Sequence, residues 1–253
     1  MRKPLCALLF LGFLMLPGGA FAQSVGSTIA SNAGQAAALG QGAISGRAIQ
    51  LVLMLSVLSL APGILMTVTS FTRIVVALSL LRTGIGAPGV PPNPVVISLA
   101  MFLSFFVMAP TFNAAWQQGV APYNEGRITE AQLFERASRP FHTFMLKHVR
   151  DDDLRLFVDL SGKAPVPRAE LPISTVIPAF MISELRRAFE IGFLLLLPFL
   201  VIDIAVSAVL MAMGMMMLPP ATISLPMKII FFVLVDGWAL VAGSLIKSFG
   251  GAG

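Results

Sequence analysis

The chain has 253 residues, of which 57% are hydrophobic and 11% charged, with a mean hydropathy of +0.88; this excludes an ordinary water-soluble domain and points to a membrane protein or one packed like it. The net charge is +5, but Arg47, Arg73, Arg82, Arg186, Arg187, Lys228 and Lys247 lie scattered along apolar segments and form no basic stripe for a nucleic acid. Residues 117–172 are the exception, holding sixteen of the twenty-nine charged residues, eight of each sign.

From the N-terminus, "MRKPLCALLFLGFLMLPGGAFA" has two basic residues, a short apolar run, a Pro-Gly-Gly break and Ala20-Phe21-Ala22. That is the pattern of a cleavable signal peptide over 1–22, with cleavage between Ala22 and Gln23. The alternative, an uncleaved first span, suffers from the shortness of the run. Cleavage would remove Cys6, the single cysteine, so no disulfide framework is expected in an oxidising compartment. Residues 23–46 are rich in Gly, Ser, Ala and Gln and read as a flexible periplasmic leader.

Four long apolar stretches follow, at 51–72, 94–116, 191–218 and 229–246, each long enough to cross a bilayer as a helix. They group into a first apolar hairpin at 47–116 and a second at 173–253. Few Lys or Arg residues mark the presumed inner loops, so the positive-inside rule orients the chain only weakly. Between Gly84 and Gly89, "GIGAPG" formally matches a dinucleotide-binding fingerprint. An apolar helix precedes it and Pro91, Pro92 and Pro94 follow, so it reads as a helix-to-helix loop.

The polar insert at 117–172 reads as short helices on the periplasmic side, with Glu130–Arg136 and Pro140–Arg150 amphipathic. Its histidines, His142 and His148, are six apart and stand about 120° apart around a helix, which does not suit a shared metal. Asp151, Asp152 and Asp153 read as a solvated helix terminus. No catalytic or metal-binding motif is present, and the inventory favours a conduit or scaffold without cofactor over an enzyme.

In the last third, "PAFMISELRRAFEIGF" spaces Glu184, Arg187 and Glu190 by three and Arg186 and Glu190 by four, as ion pairs along one helix require. Glu184, Asp203, Lys228 and Asp236 sit beside or within strongly apolar sequence, where an unpaired charge is expensive. They are expected to pair across helices or subunits. The specific expectation is Glu184 of one copy with Lys228 of its neighbour, Arg187 being the next partner for Glu184. Further on, "AVLMAMGMMMLPPATISLP" runs methionines up to Pro219-Pro220. Met215, Met216 and Met217 read as the tip of a hairpin or, alternatively, as gap-filling core residues, because methionine adapts to irregular space.

Three stretches, "SFTRIVVALSLLRTGIG" at 70–86, "PAFMISELRRAFEIGF" at 178–193 and the long block from Leu197 to Trp238, carry a resemblance to the FliP family of flagellar type III export-gate proteins. The likeness covers 47–250. It implies an all-α, membrane-associated protein whose helical hairpins assemble, as a FliP homo-oligomer (a pentamer) with FliQ and FliR, into a channel complex largely above the inner-membrane plane. FlhB and FlhA, membrane lipid and unfolded flagellar substrates are the further implied partners. The resemblance also implies that Met215, Met216 and Met217 form a compliant gasket at the channel axis. The alternatives are an injectisome export-gate homologue and a small-solute transporter, the latter because intramembrane charges and broken helices also mark solute paths.

Overall fold

The computed structural model describes residues 51, 52, 54–56, 59, 63 and 66–250, save 88, 163–166 and 216. The signal peptide, its cleavage site between Ala22 and Gln23, and the leader lie outside the described residues. The chain divides into two units after Leu60. In the first, the described residues are helical, with the Ser56 hydroxyl donating to the Val52 carbonyl at 2.8 Å. The second is all-α.

It opens with α1 (Phe71–Ile85). Ile74, Ala77, Leu78, Leu81 and Ile85 are its buried stripe, spaced as one face of a helix requires. Gly86, at φ 77°, ends it in the left-handed conformation, its N–H bonded to the Thr83 carbonyl. Glycine adopts this at no steric cost. The proline-rich loop of the formal fingerprint then leads into α2 (Asn93–Ala115), whose Pro94 stands in the first turn, where its missing N–H costs nothing. Only Val96, Ala100, Ser104, Met108 and Ala115 of α2 are buried. Most of its circumference is uncovered within one chain.

α2 does not stop at the start of the polar insert. A π-helical turn (Trp116–Val120) and α3 (Ala121–Asn124) prolong it into one rod, Asn93–Asn124. The two amphipathic pieces expected in the insert are in fact one helix, α4 (Glu130–His148), running through Pro140. Its start is held by a capping box, in which the Thr129 N–H donates to Gln132 Oε1, satisfying donors that the first turn leaves bare. Phe112 and Phe141 meet edge to face, centroids 5.6 Å apart, and fasten α4 to α2. α5 (Asp151–Leu160) and a 3₁₀ turn (Arg168–Glu170) complete the insert.

The chain then runs for forty residues without a break as α6 (Ile173–Ala212), about 60 Å at 1.5 Å per residue and twice the thickness of a bilayer core. The apolar stretch at 191–218 is therefore only the second half of a helix. In the first half Val176, Ala179, Phe180, Ser183, Glu184 and Ala188 are buried, again at helical spacing. α6 packs parallel to α1, since Arg73 meets Glu184, Leu80 meets Gly192, and Gly84 meets Leu196 and Phe199 in the same order along both helices. A turn leads to α7 (Ala221–Leu234) and α8 (Gly237–Gly250), which bend by 65° at the two residues between them. The stretch at 229–246 is thus a broken element and not a straight span. Among the described residues two helices are long and apolar enough to cross a membrane, or three if the bent pair counts as one.

Candidate functional site

The methionine run lies at the tip of the α6–α7 hairpin, and the sequence places its stop signal elsewhere than expected. α6 ends within the run, after Ala212: the Met215 N–H bonds to the Leu210 carbonyl and the Gly214 N–H to the Met211 carbonyl, both at 3.0 Å, with Gly214 at φ 74°. This nested pair around a left-handed glycine is a Schellman cap. Gly214, not Pro219-Pro220, terminates the helix. The prolines act at the other end, where the Pro219 and Pro220 carbonyls accept from Thr222 and Ile223 N–H as α7 begins. Met215 is half-buried under the tip, whereas Met217 is 99% exposed and Met211 and Met213 are exposed beside it. Met216 lies outside the described residues. A core gap-filler would be covered by its own chain, and Met217 is not.

Two ion-pair clusters hold this hairpin against α1. The outer one centres on Lys228, whose Nζ donates to Asp203 Oδ2 at 2.6 Å and to the Gly84 carbonyl at 3.1 Å. It thereby links α7 to α6 and meets a bare carbonyl at the C-terminal end of α1, where a cation is favoured. The inner one centres on Arg73, which has no exposed side-chain surface, nor has its partner Glu184. Arg73 binds both Glu184 carboxylate oxygens, donates to the Ser248 carbonyl and hydroxyl at 3.1 Å each, and lies 3.7 Å from the Phe249 ring centroid. The bidentate, ring-stacked guanidinium joins α1, α6 and the end of α8.

These contacts correct the expected pairing of Glu184 with a neighbour's Lys228. Both residues are buried and both are satisfied inside one chain, by Arg73 and Asp203. Arg187, the alternative partner, is half-buried and acts on Glu184 through its charge, without a hydrogen bond or ion pair to it. Asp203 is less enclosed than its apolar surroundings suggest, its side chain being 42% exposed, and Asp236 is exposed at the α7–α8 bend. Nor do the charges of α6 pair along their own helix. Glu190 meets Arg150 at 3.2 Å and Arg186 meets Asp153 at 3.5 Å, so they tie α6 to the insert.

Asp153 is also not the solvated terminus expected. It is buried and accepts the Ser183 hydroxyl at 2.7 Å, while Ser183 accepts the Arg150 N–H. Asp151 and Asp152 do face solvent, and Asp151 pairs with Arg168. The two histidines serve separate contacts. His142 Nε2 lies 2.9 Å from the Leu171 carbonyl, and His148 Nδ1 lies 2.8 Å from the Phe144 carbonyl, its Nε2 reaching toward Phe249. Burial pushes the His148 imidazole below the usual histidine range, because the cation would lose its hydration.

Sequence reasoning missed Arg73, although the signal was present. Arg73, Ala77 and Leu81 stand at i, i+4 and i+8, so the arginine shares the apolar stripe of α1 and has to be matched by a buried anion. What the arrangement offers is mechanical: a braced hairpin carrying flexible, uncovered thioethers at its tip.

A model of the FliP family matches residues 54–245. The chain is 57% identical over 237 residues to the flagellar biosynthetic protein FliP of Caulobacter vibrioides, covering 93% of this chain and 86% of that one. Against the protein of the same name from Bacillus subtilis it is 49% identical over 202 residues, covering 79% and 91%. For that of Aquifex aeolicus the identity is 47% over 207 residues, covering 79% and 85%.

Proposed function

The chain belongs to the FliP family, and from that premise we propose that it is a core channel subunit of the flagellar type III export gate, conducting unfolded flagellar proteins across the bacterial inner membrane. It acts as several copies with FliQ and FliR, and FlhB and FlhA join the finished gate. The insert at 117–172 stands on the periplasmic side. The single observation that carries this reading is the methionine tip: a solvent-exposed Met217 on a hairpin braced by two buried-cation clusters. An exposed apolar tip is unfavourable on an isolated chain. At the axis of a ring, the same tips meet one another and close a hole.

Thioethers suit that task because three rotatable bonds and a polarisable sulfur let them pack against whatever passes. No specific recognition of the passing chain is needed. The bracing matters as much, since a soft tip needs a stiff mount to return to one closed geometry. The uncovered faces of α2, α6 and α7, with Phe102, Phe106, Phe193 and Val233 all exposed, supply the apolar area that neighbouring subunits and lipid would cover.

The test is contact with cargo. A Met217→Cys variant is assembled in cells that carry a flagellar export substrate fused to a domain that cannot unfold, which stalls in the channel. Thiol-directed crosslinking is expected to join position 217 to the stalled substrate, and a cysteine at Phe134, exposed on the insert, is expected not to. A stalled substrate that crosslinks elsewhere in the gate and never to position 217 overturns the assignment.

A further inference from the structure

We propose that the arginine-lined cleft beside α6 receives a carboxylate from a second copy of this chain, and that the pair is Arg187 of one copy with Asp236 of the next. This rests on the assembly reading above and goes beyond it in naming the contact. The cleft is an open depression of about 400 Å³ lined by Arg73, Arg150, Arg187, Glu190, Ile191 and Ser248. Two of its three guanidiniums are matched, Arg73 by Glu184 and Arg150 by Glu190. Arg187 is half-buried and, among the described residues, has no hydrogen bond or ion pair; its charge acts on the Glu184 carboxylate, but both oxygens of that group are already bound by Arg73. The cleft therefore holds one positive charge in excess.

Other described cations without a carboxylate are exposed to water, apart from Arg82, which bonds to Asn93 Oδ1. The carboxylates divide in the same way. Glu130, Asp152, Asp159 and Glu170 lack ion pairs but are exposed on the polar insert, where water serves them. Asp236 also lacks one, yet it is flanked by exposed Leu234, Val235 and Trp238, a surface that other subunits or lipid must cover. A carboxylate carried into such a contact needs a cation. Its backbone sharpens the point: Asp236 sits at φ 50° in the bend, a conformation that glycine takes more easily. The chain keeps a carboxylate there although its own fold does not use it.

The two groups do not meet within one chain. α7 runs antiparallel to α6, with Lys228 opposite Asp203 and Phe232 beside Phe199, so the bend at Asp236 falls level with residues near 195 of α6. Arg187 lies eight residues further along, about 12 Å by helical rise. Only a neighbour displaced along the helix axis by about that distance brings Asp236 to the cleft.

The experiment uses two differently tagged full-length copies in one cell, in a Cys6→Ala background, one carrying Arg187→Cys and the other Asp236→Cys. A short thiol-to-thiol crosslinker is used, because a disulfide needs Cβ atoms about 4 Å apart, closer than an arginine–carboxylate pair keeps them. The expected result is a crosslinked product containing both tags, absent when either cysteine is alone. In parallel, R187D or D236R is expected to lower the amount of assembled oligomer by about tenfold or more, and the double exchange R187D/D236R to restore it, as complementary charges at a contact do. An intact oligomer with neither crosslink nor rescue overturns the pairing and leaves the assembly reading standing. A wild-type chain that forms no oligomer overturns both. If R187Q leaves the oligomer intact but loses co-purifying phospholipid, the cleft holds a lipid phosphate and the proposal fails.

Discussion

Arg73 has no exposed side-chain surface and yet carries its charge to the centre of the fold, between Glu184, Ser248 and Phe249. Removing one partner of such a pair strands the other in a medium that cannot solvate it, at a cost of about 3–5 kcal/mol, whereas replacing both by apolar groups of similar size is far cheaper. Arg73→Met and Glu184→Leu are therefore each expected to destabilise the detergent-solubilised protein by about that amount, and the double variant by clearly less than the sum. Thermal unfolding of the three variants reads this out. Additive losses would contradict a direct pair, and so would restoration of Glu184→Lys by Lys228→Glu, which a pairing of those two residues requires. The charges themselves were legible in the sequence; their partners were not. Spacing along one helix pairs Glu184 with Arg187, but the acid and base that meet are 111 residues apart, joined by a packing of α1 on α6 that no local pattern encodes.

At the scale of elements, that packing depends on closeness. Gly192 of α6 faces Leu80 of α1 so tightly that a Cβ at 192 would stand 2.3 Å from Leu80 Cδ1 and 3.0 Å from its Cβ. The terminal methyl can rotate away, but the Leu80 Cβ is fixed to the backbone. Gly192→Ala is expected to push the helices apart and to cost about 1–3 kcal/mol, the usual range for overpacking. Because Arg73–Glu184 lies on the same seam, faster amide hydrogen exchange in both α1 and α6 is expected with it. Unchanged exchange and stability would show that the seam is slack. Helix existence was readable, since the described residues of 94–116 are helical, as are most of those of 191–218 and 229–246. Boundaries were not. The π-turn that prolongs α2, Pro140 inside α4 and the single helix from Ile173 that includes the start of the 191–218 stretch all run past the bounds read from polarity and apolarity, because tertiary contacts on each side outweigh local preference. Gly214 was the reverse case, a stop signal hidden among methionines.

The described residues of the second unit form a set of apolar helices incompletely covered by one another, built around buried cations and carrying methionine at the α6–α7 tip. Residues that are exposed on one copy, such as Met217, Phe193 and Val233, would be covered in the proposed assembly, and sequence periodicity alone left the gasket and the core filler both open for Met215–Met217. The most direct test is to shorten Met215, Met216 and Met217 together to Ala, and to measure ion conductance through the resting gate beside the quantity of assembled complex. If the tips close a channel, the complex should assemble in near-normal amount and leak, because residues at a turn contribute little to subunit packing while their bulk fills the axis. Core residues behave oppositely, since trimming them costs about 2–5 kcal/mol each and would remove the complex before any leak arose. A leaking, fully assembled gate is the predicted result; a fully assembled gate as tight as the wild type, or the loss of assembly without conductance, would contradict it.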